Sequence, residues 1–369
     1  MSKPPKFDHC PEPRPWSHGQ SYDHFMSTSA VRFGLVGYGF GGRYFHAPLI
    51  ASAPGCELVG VVTTAPSRRD ELARDQPGTS AYDSLAALVE AGVEAVAIST
   101  PADTHVPLAQ EAIRMGLAVV VDKPFALDPA SARETVELAE RSGVVLSVYQ
   151  NRRWDADLLT VRRLIADGEL GTVTRFESRF ERFSPDPGPP AAGGGTLLDF
   201  GSHLVDQAML LFGPVARVYA EMRVRDDLGG LDDDFFVALE HVGGVRSQLW
   251  GSWVQGAPGP RFRVTGTTGS YVIEGSGGQE DDLIAGRSPA TEGERWGVEP
   301  ESRWGRLQVG ATRNSVPTER GRWDTFYPAF AAAVRGAGPV PVDPWDAVAS
   351  LEVLAAARTS AIEGRLLDL

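Results

Sequence analysis

Val31-Arg32-Phe33-Gly34-Leu35-Val36-Gly37-Tyr38-Gly39-Phe40-Gly41-Gly42 is the stretch that decides the fold. A run of mostly apolar residues opens directly into Gly37, Gly39 and Gly42, which fill a Gly-x-Gly-x-x-Gly frame between a predicted strand and a predicted helix. Each glycine has its own task in a dinucleotide-binding turn. The first permits the tight turn, the second lets backbone approach a pyrophosphate, and the third lets the helix pack close, its N-terminus facing the phosphates. With 41 glycines in the chain, the frame alone could mark an ordinary turn. Its place between strand and helix makes Gly37, Tyr38, Gly39, Phe40, Gly41 and Gly42 a predicted cofactor loop.

Outward from this loop, short apolar runs alternate with helical patterns as far as Gln150. Strands are predicted at residues 31–36, 58–63, 95–99, 117–121 and 144–148. Their continuous apolar character is that of strands covered on both faces, so the runs predict a parallel sheet of βαβ units. One intervening helix is fully signposted: Asp128 caps it, Pro129 takes its first position, and Gly143 follows its last turn over residues 131–142. Beyond Gln150 come a predicted helix over 155–167 and then alternating segments, Thr172 through Phe180 and Phe235 through Glu240. Period-two alternation predicts an antiparallel sheet with one polar face. A final helix begins at Asp343-Pro344, places Trp345, Val348, Leu351, Leu354, Ala355 and Ile362 on one face, and ends before Gly364. The expected fold class is an α/β Rossmann domain at 31–150 followed by an α+β domain at 151–369 with an open, mainly antiparallel sheet.

At 369 residues two cores are expected, with a ligand cleft between them. A formal charge of -13 argues against a nucleic-acid partner, because phosphate backbones need clustered Lys and Arg. No apolar run is long enough for a membrane span. Cys10 and Cys56 show neither metal-ligand spacing nor disulfide density and fit a reducing cytoplasm; no metal is expected. Residues 1–30 are read as a disordered extension without a secretory signal, with the natural start placed at Met26. His9, His18 and His24 in this stretch are assigned to a polar tail rather than to metal binding.

Three further places carry chemistry. At the end of the second predicted strand, where an NAD-selective domain places Asp or Glu, the chain reads Thr63-Thr64-Ala65-Pro66-Ser67-Arg68-Arg69. Ser67, Arg68 and Arg69 suit a 2′-phosphate, since guanidinium pairs with phosphate through parallel hydrogen bonds, so NADP is favoured over NAD. Asp122-Lys123-Pro124 follows the 117–121 strand and sets Lys123 at the carboxyl edge of the sheet, where ligands bind in open α/β folds. Asp199-Phe200-Gly201-Ser202-His203 brackets the start of a helix, where carboxylate and imidazole can meet, and histidine titrates in the range useful for proton transfer. Taken singly, Lys123 also reads as an ordinary exposed lysine, and a capped helix with an exposed histidine is the better reading of Asp199 to His203.

In this order, the glycine loop, Asp122-Lys123-Pro124 and Asp199 to His203 resemble the motifs of the glucose-fructose oxidoreductase, inositol dehydrogenase and MocA family, and the resemblance covers nearly everything from Val31 onward. Thr100, Pro101 and His105 match a further family element. The stretches 37–50, 149–155, 201–207 and 278–282 are most similar to those of NADP-dependent scyllo-inositol 2-dehydrogenases. Asp122 stands where the family has Glu, and residues 184–192 replace a longer segment containing Arg-Trp-Arg, which bears on substrate contacts.

The resemblance implies that His203 removes a hydroxyl proton while a hydride leaves the adjacent carbon for a nicotinamide. Lys123 would hold the reacting oxygen, and Asp199 would orient His203 or share the substrate hydroxyls. It further implies cofactor contacts from Thr100, Pro101, His105 and Lys123, substrate contacts from Asn151, Arg153 and Trp154, and a homo-oligomer, dimer or tetramer; His46 matches close relatives too, but structural packing is its expected role. The substrate class is a cyclic polyol or sugar. Two other readings stay open: the same chemistry on another sugar or deoxysugar ketone, and a non-catalytic regulator that senses a dinucleotide.

Overall fold

The computed structural model describes residues 29–369 except 187, 189 and 190; the readings placed on residues 1–28 lie outside the described residues. Six strands form the first sheet, β1 (Val31–Val36), β2 (Cys56–Val62), β3 (Ser80–Tyr82), β4 (Ala95–Ile98), β5 (Ala118–Asp122) and β6 (Leu146–Tyr149), ordered β3-β2-β1-β4-β5-β6. Every pair is parallel. The five predicted strands are present within two residues at each end. β3 was not predicted, because Ser80-Ala81-Tyr82 is a three-residue, partly exposed edge with no apolar run to announce it.

The second sheet has nine strands: β7 (Val173–Glu181), β8 (Val215–Arg225), β9 (Leu231–His241), β10 (Arg246–Ser252), β11 (Phe262–Gly266), β12 (Ser270–Ile273), β13 (Gly305–Val309), β14 (Thr312–Val316) and β15 (Leu367–Asp368). All its pairings are antiparallel except β7 with β10. In β9 buried and half-buried residues alternate along nearly the whole strand, as period-two patterning demands of a sheet packed on one side.

Helix ends follow their signals. Asp128 accepts the Ser131 N–H and Gly143 closes the helix Pro129–Ser142 in the left-handed region; Asp343 and Gly364 bracket Pro344–Glu363 in the same manner. Ile362 is the exception on that last helix, 76% exposed. Ser360 is the residue that turns to the body there, donating to the Arg365 carbonyl and accepting from Ala220 N of β8, and a residue two positions on points about 200° away.

Two apolar clusters bind the whole together. One lies on a face of the first sheet (Phe33, Leu35, Val61, Val120) and takes in Trp323, Phe326, Tyr327 and Phe330 from the far end of the chain. The other runs without interruption from the opposite face (Val96, Ile98, Val119, Val121) through the helices Gly201–Phe212 and Pro344–Glu363 to Phe176, Val218 and Val237 of the second sheet. No helix among the described residues is long and apolar enough to cross a membrane.

The glycine loop obeys the same close packing. Gly37 has φ +99°, open to glycine, and a Cβ on Gly42 would stand 2.1 Å from the Gly37 carbonyl oxygen, so the helical run from Gly41 touches the strand end directly. Gly42→Ala must push backbone against backbone. It is expected to destabilise the protein by about 2 kcal/mol or more, read as a lowered denaturation midpoint. An unchanged midpoint would show that the loop has slack the geometry denies.

Candidate active site

The carboxyl ends of β5 and β6 meet the start of the helix Gly201–Phe212, through Lys123 to Asp199 and through Gln150 to the Ser202 carbonyl, and Gly41 of the glycine loop lies against Ser99 and Asp122, so the loop, Lys123, Asp199 and His203 are gathered at one edge. Lys123 is anchored through its backbone: its N–H donates to Asp122 Oδ1 at 2.8 Å. Asp122 Oδ2 accepts from Ser99 Oγ at 2.8 Å and lies 3.1 Å from His46 Nε2, close enough for charge attraction but off the axis of a hydrogen bond. Burial pushes the Asp122 carboxyl up, yet His46, His105 and Lys123 together hold it down at about 2, so it stays ionised. His46 is wholly buried, its Nδ1 2.5 Å from the Tyr327 hydroxyl, which agrees with a packing role.

From this base the Lys123 ammonium reaches across to the Asp199 carboxylate, forming an ion pair, with the Asp199 carbonyl 3.5 Å away. The expectation that Asp199 orients His203 is therefore corrected: Lys123 takes the carboxylate, and no hydrogen bond joins Asp199 to His203. The His203 ring is 5% exposed, edge-on to Phe180 at 5.9 Å, and its Nδ1 is buried without a hydrogen-bond partner. Burial first, and then the charges of Lys123, Arg152 and Arg261, hold the imidazole well below its ordinary pKa. A neutral imidazole in a water-poor site can accept a proton.

The remaining predicted contacts divide. Gly39 has no atom within 4 Å of where a Cβ would stand, so its backbone is open to a close-approaching group, as a pyrophosphate requires. The residues present thus fit a dinucleotide. Tyr38 is only 2% exposed and offers backbone alone, whereas Phe40 stands 55% exposed at the loop tip. At the end of β2, Ser67 is exposed, Arg68 bonds Glu71 at 2.7 Å, and Arg69 bonds the Thr63 carbonyl at 3.0 Å and pairs with Asp83. Arg43, which the sequence reading missed, joins them through Glu71 at 3.0 Å and Asp75 at 2.6 Å.

Thr100 and Pro101 lie at the β4 terminus, but His105 is 2% exposed, its two ring nitrogens each 2.8 Å from a carbonyl oxygen, of Pro124 and of Thr100. Its side chain is a brace beneath the Lys123 turn, not a cofactor contact. Arg153 likewise leaves the candidate substrate set: it grips Asp206 at 2.5 and 2.9 Å and Asp346 at 3.0 Å, tying α-helical elements together. Asn151 is buried, and Trp154 packs edge-on against Phe326.

The neighbouring Arg152 turns toward His203 instead. It pairs with Glu280 and Asp155, lies 4.9 Å over the Phe180 ring, and lends its charge to the His203 environment. Arg182, over Phe200 and Trp253 at 5.0 and 5.1 Å, and Glu280, drawn down by Arg152, Arg182 and Lys123 against the upward push of burial, complete the rim. One signal in the sequence could have singled out Lys123: of 35 basic residues only Lys3, Lys6 and Lys123 are lysine, so Lys123 is the one lysine among the described residues. A chain that uses arginine for nearly every cation keeps a compact ammonium here.

Residues 31–150 match the oxidoreductase family with an NAD-binding Rossmann fold, and residues 158–272 match the GFO/IDH/MocA C-terminal domain. The chain is 37% identical to the uncharacterized oxidoreductase YdgJ of Escherichia coli, over 88% of this chain and 94% of that protein. It is 30% identical to the NADP-dependent scyllo-inositol 2-dehydrogenase IolW of Bacillus subtilis, over 93% and 97%. The solved structure of the oxidoreductase yvaA from Bacillus subtilis superposes with a TM-score of 0.85 at 30% identity, covering 92% of this chain and all of that one.

The His203 environment gives a stability signature. Its folded pKa lies below its unfolded value of about 6.5, so its contribution is fully present above that pH and is lost as pH falls through it toward the folded pKa. Replacing His203 with Gln is expected to reduce the acid-side slope of unfolding free energy by up to about 1.4 kcal/mol per pH unit, read by denaturant titration at about pH 7.5 and about pH 5. A wild-type slope in the variant would mean that His203 titrates normally in the folded protein.

Proposed function

This chain belongs to the GFO/IDH/MocA family of oxidoreductases, and from that premise we propose that it oxidises a secondary alcohol of a cyclic polyol or sugar, of the scyllo-inositol kind, to the ketone, or runs the reverse reaction, with NADP. The observation that carries this reading is the pairing of Lys123 with Asp199 within the electrostatic reach of a buried, neutral His203. Residues 31–150 hold the dinucleotide, with Gly37 to Gly42 at the pyrophosphate and Arg43, Arg68 and Arg69 around the 2′-phosphate; residues 151–369 supply substrate and subunit contacts. The IolW relative, named as NADP-dependent, supports the cofactor assignment. The reading includes a cytoplasmic homo-oligomer joined through the outer face of the nine-stranded sheet, where Arg179 lies 3.9 Å over Trp250.

When bound, the nicotinamide supplies the acceptor for the hydride that the carbinol carbon gives up. His203 takes the hydroxyl proton, and its low pKa ensures that the ring starts empty-handed at neutral pH. Lys123 donates to the same oxygen as its negative charge develops, and Asp199 keeps the ammonium aimed and charged. Arg152 and Glu280 stand at the rim to take the remaining hydroxyls. In the reverse direction His203 returns the proton to the oxygen. A screen of polyols and sugars with NAD and NADP, following the reduced cofactor's absorbance, tests the reading; no turnover of any such alcohol with either cofactor would overturn it.

Lys123→Met is expected to lower kcat by roughly a hundredfold or more, with a smaller change in KM, because the lost hydrogen bond strengthens only as charge develops. Lys123→Arg should restore only part of the rate, the planar fork being larger and differently directed. Wild-type turnover by the Met variant at saturating substrate would remove Lys123 from the chemistry. Replacing both Arg68 and Arg69 with Ala should weaken NADP much more than NAD, measured as the ratio of kcat/KM values; equal losses would refute the 2′-phosphate assignment.

A further inference from the structure

We propose that Asp232 is a positioning residue: from a strand of the second sheet it caps the short helix that carries Asp199 and so holds the Asp199–Lys123 pair in place. The inference rests on the reading in which that pair acts on the substrate. Asp232 is the second residue of β9 and is 1% exposed. Its Oδ2 accepts the Leu197 N–H at 2.6 Å, and its backbone carbonyl accepts from Thr196 Oγ1 at 2.8 Å. Both donors belong to the first turn of the helix Thr196–Asp199.

That helix needs help from outside. Its own N-cap position is Gly195, which has no side chain to accept an orphan N–H, and its four residues are held from within by two bonds, Asp199 N–H to the Gly195 carbonyl and Phe200 N–H to the Thr196 carbonyl, which leave the first-turn N–H groups to outside partners. Asp232 does from another strand what a capping Asp ordinarily does from within the chain, with the added attraction of a carboxylate for a helix N-terminus. Gly195 is what allows the approach: at φ +93°, a Cβ there would stand 2.1 Å from Asp232 Oδ1. Arg358, on the terminal helix, donates to the Gly194 carbonyl at 3.0 Å and lies 3.7 Å from Asp232 Oδ1, so the glycine turn is clamped from both sides. The path of restraint is short: β9 fixes Asp232, Asp232 fixes Leu197 N–H, and two residues on, Asp199 meets the Lys123 ammonium.

The test uses the purified protein of residues 1–369 and two readouts. Because Lys3 and Lys6 are the only other lysines, an amine-acylating reagent followed by peptide mass spectrometry reports Lys123 against two internal controls. Asp232→Ala is expected to speed acylation of Lys123 severalfold relative to Lys3 and Lys6, and to lower kcat roughly tenfold while the dissociation constant for NADPH stays unchanged. Asp232→Asn keeps an oxygen for the Leu197 N–H and should recover most of both. A folded Asp232→Ala protein with wild-type kcat and wild-type Lys123 acylation overturns the proposal, whatever its thermal stability. If Asp232→Ala does not fold, Thr196→Val removes the other half of the cap and is judged by the same two measurements. Acylation needs no substrate, so it decides the link from Asp232 to Lys123 even if the wild type turns over no polyol or sugar, an outcome that would instead remove the proposed function.

Discussion

A single ammonium bridges the two halves of this protein, and much of the candidate site is arranged to hold it. Lys123 and Asp199 keep 23% and 15% of their side-chain surface accessible, so their attraction is partly screened and adds little to stability. What the pair does is set a distance between the carboxyl edge of the parallel sheet and the helix start below the second sheet. Each partner is braced from behind: Lys123 by Asp122 through its backbone and by His105 at the following carbonyl, Asp199 by the strand residue that caps its helix. Bracing of this kind is what charge stabilisation in a transition state requires, since a donor that has to reorganise gives back what it gains.

The electrostatics of the edge follow from burial in an acidic protein. A formal charge of -13 would favour cationic ligands everywhere, yet Lys123, Arg152 and Arg261 concentrate positive charge around His203. Those cations and the loss of water keep the imidazole neutral. The same burial drives Asp155 up to about 7 despite Arg152, so ionic pairs behind the site are finely balanced while Asp122, directly under the lysine, is ionised throughout. Proton acceptor and permanent anion are thus separated by environment, with Lys123 interacting with both.

Much of this was legible in the residues. The glycine loop, the capped helix after Asp128, the strand runs and the terminal helix announce themselves through local rules that tertiary packing did not override. What was not legible depends on which way a side chain points. Arg152 and Arg153 are neighbours in the tight turn Asn151–Trp154, where successive side chains diverge by roughly a third of a turn, so one enters the site and the other a structural clamp. His105 matched a motif by identity but is consumed by two carbonyls. Asp199 was assigned to His203 because a short turn at a helix start can bring carboxylate and imidazole together; nothing in the spacing reveals a lysine arriving from the edge of the first sheet to take the carboxylate. The scarcity of lysine was visible in the sequence, but only once Lys and Arg are counted apart.

The continuity of the apolar core decides how such a site can work. One cluster runs from Val96, Ile98 and Val121 of the parallel sheet to Phe176, Val218 and Val237 of the antiparallel one, through helices that touch both. Swinging one sheet away from the other would expose that surface at about 25 cal/mol per Å², so even a few hundred Å² would cost several kcal/mol. The chain's own ends reinforce this, since the helix Phe326–Val334 packs Phe326, Tyr327 and Phe330 against the first sheet after the second has been completed. Lys123, Asp199 and His203 therefore hold their relative positions before any ligand arrives. Under the proposed function, substrate discrimination then falls to groups that can adjust without moving either sheet: Arg182, exposed and held by ring contacts, and Glu280, on a short helix at the rim.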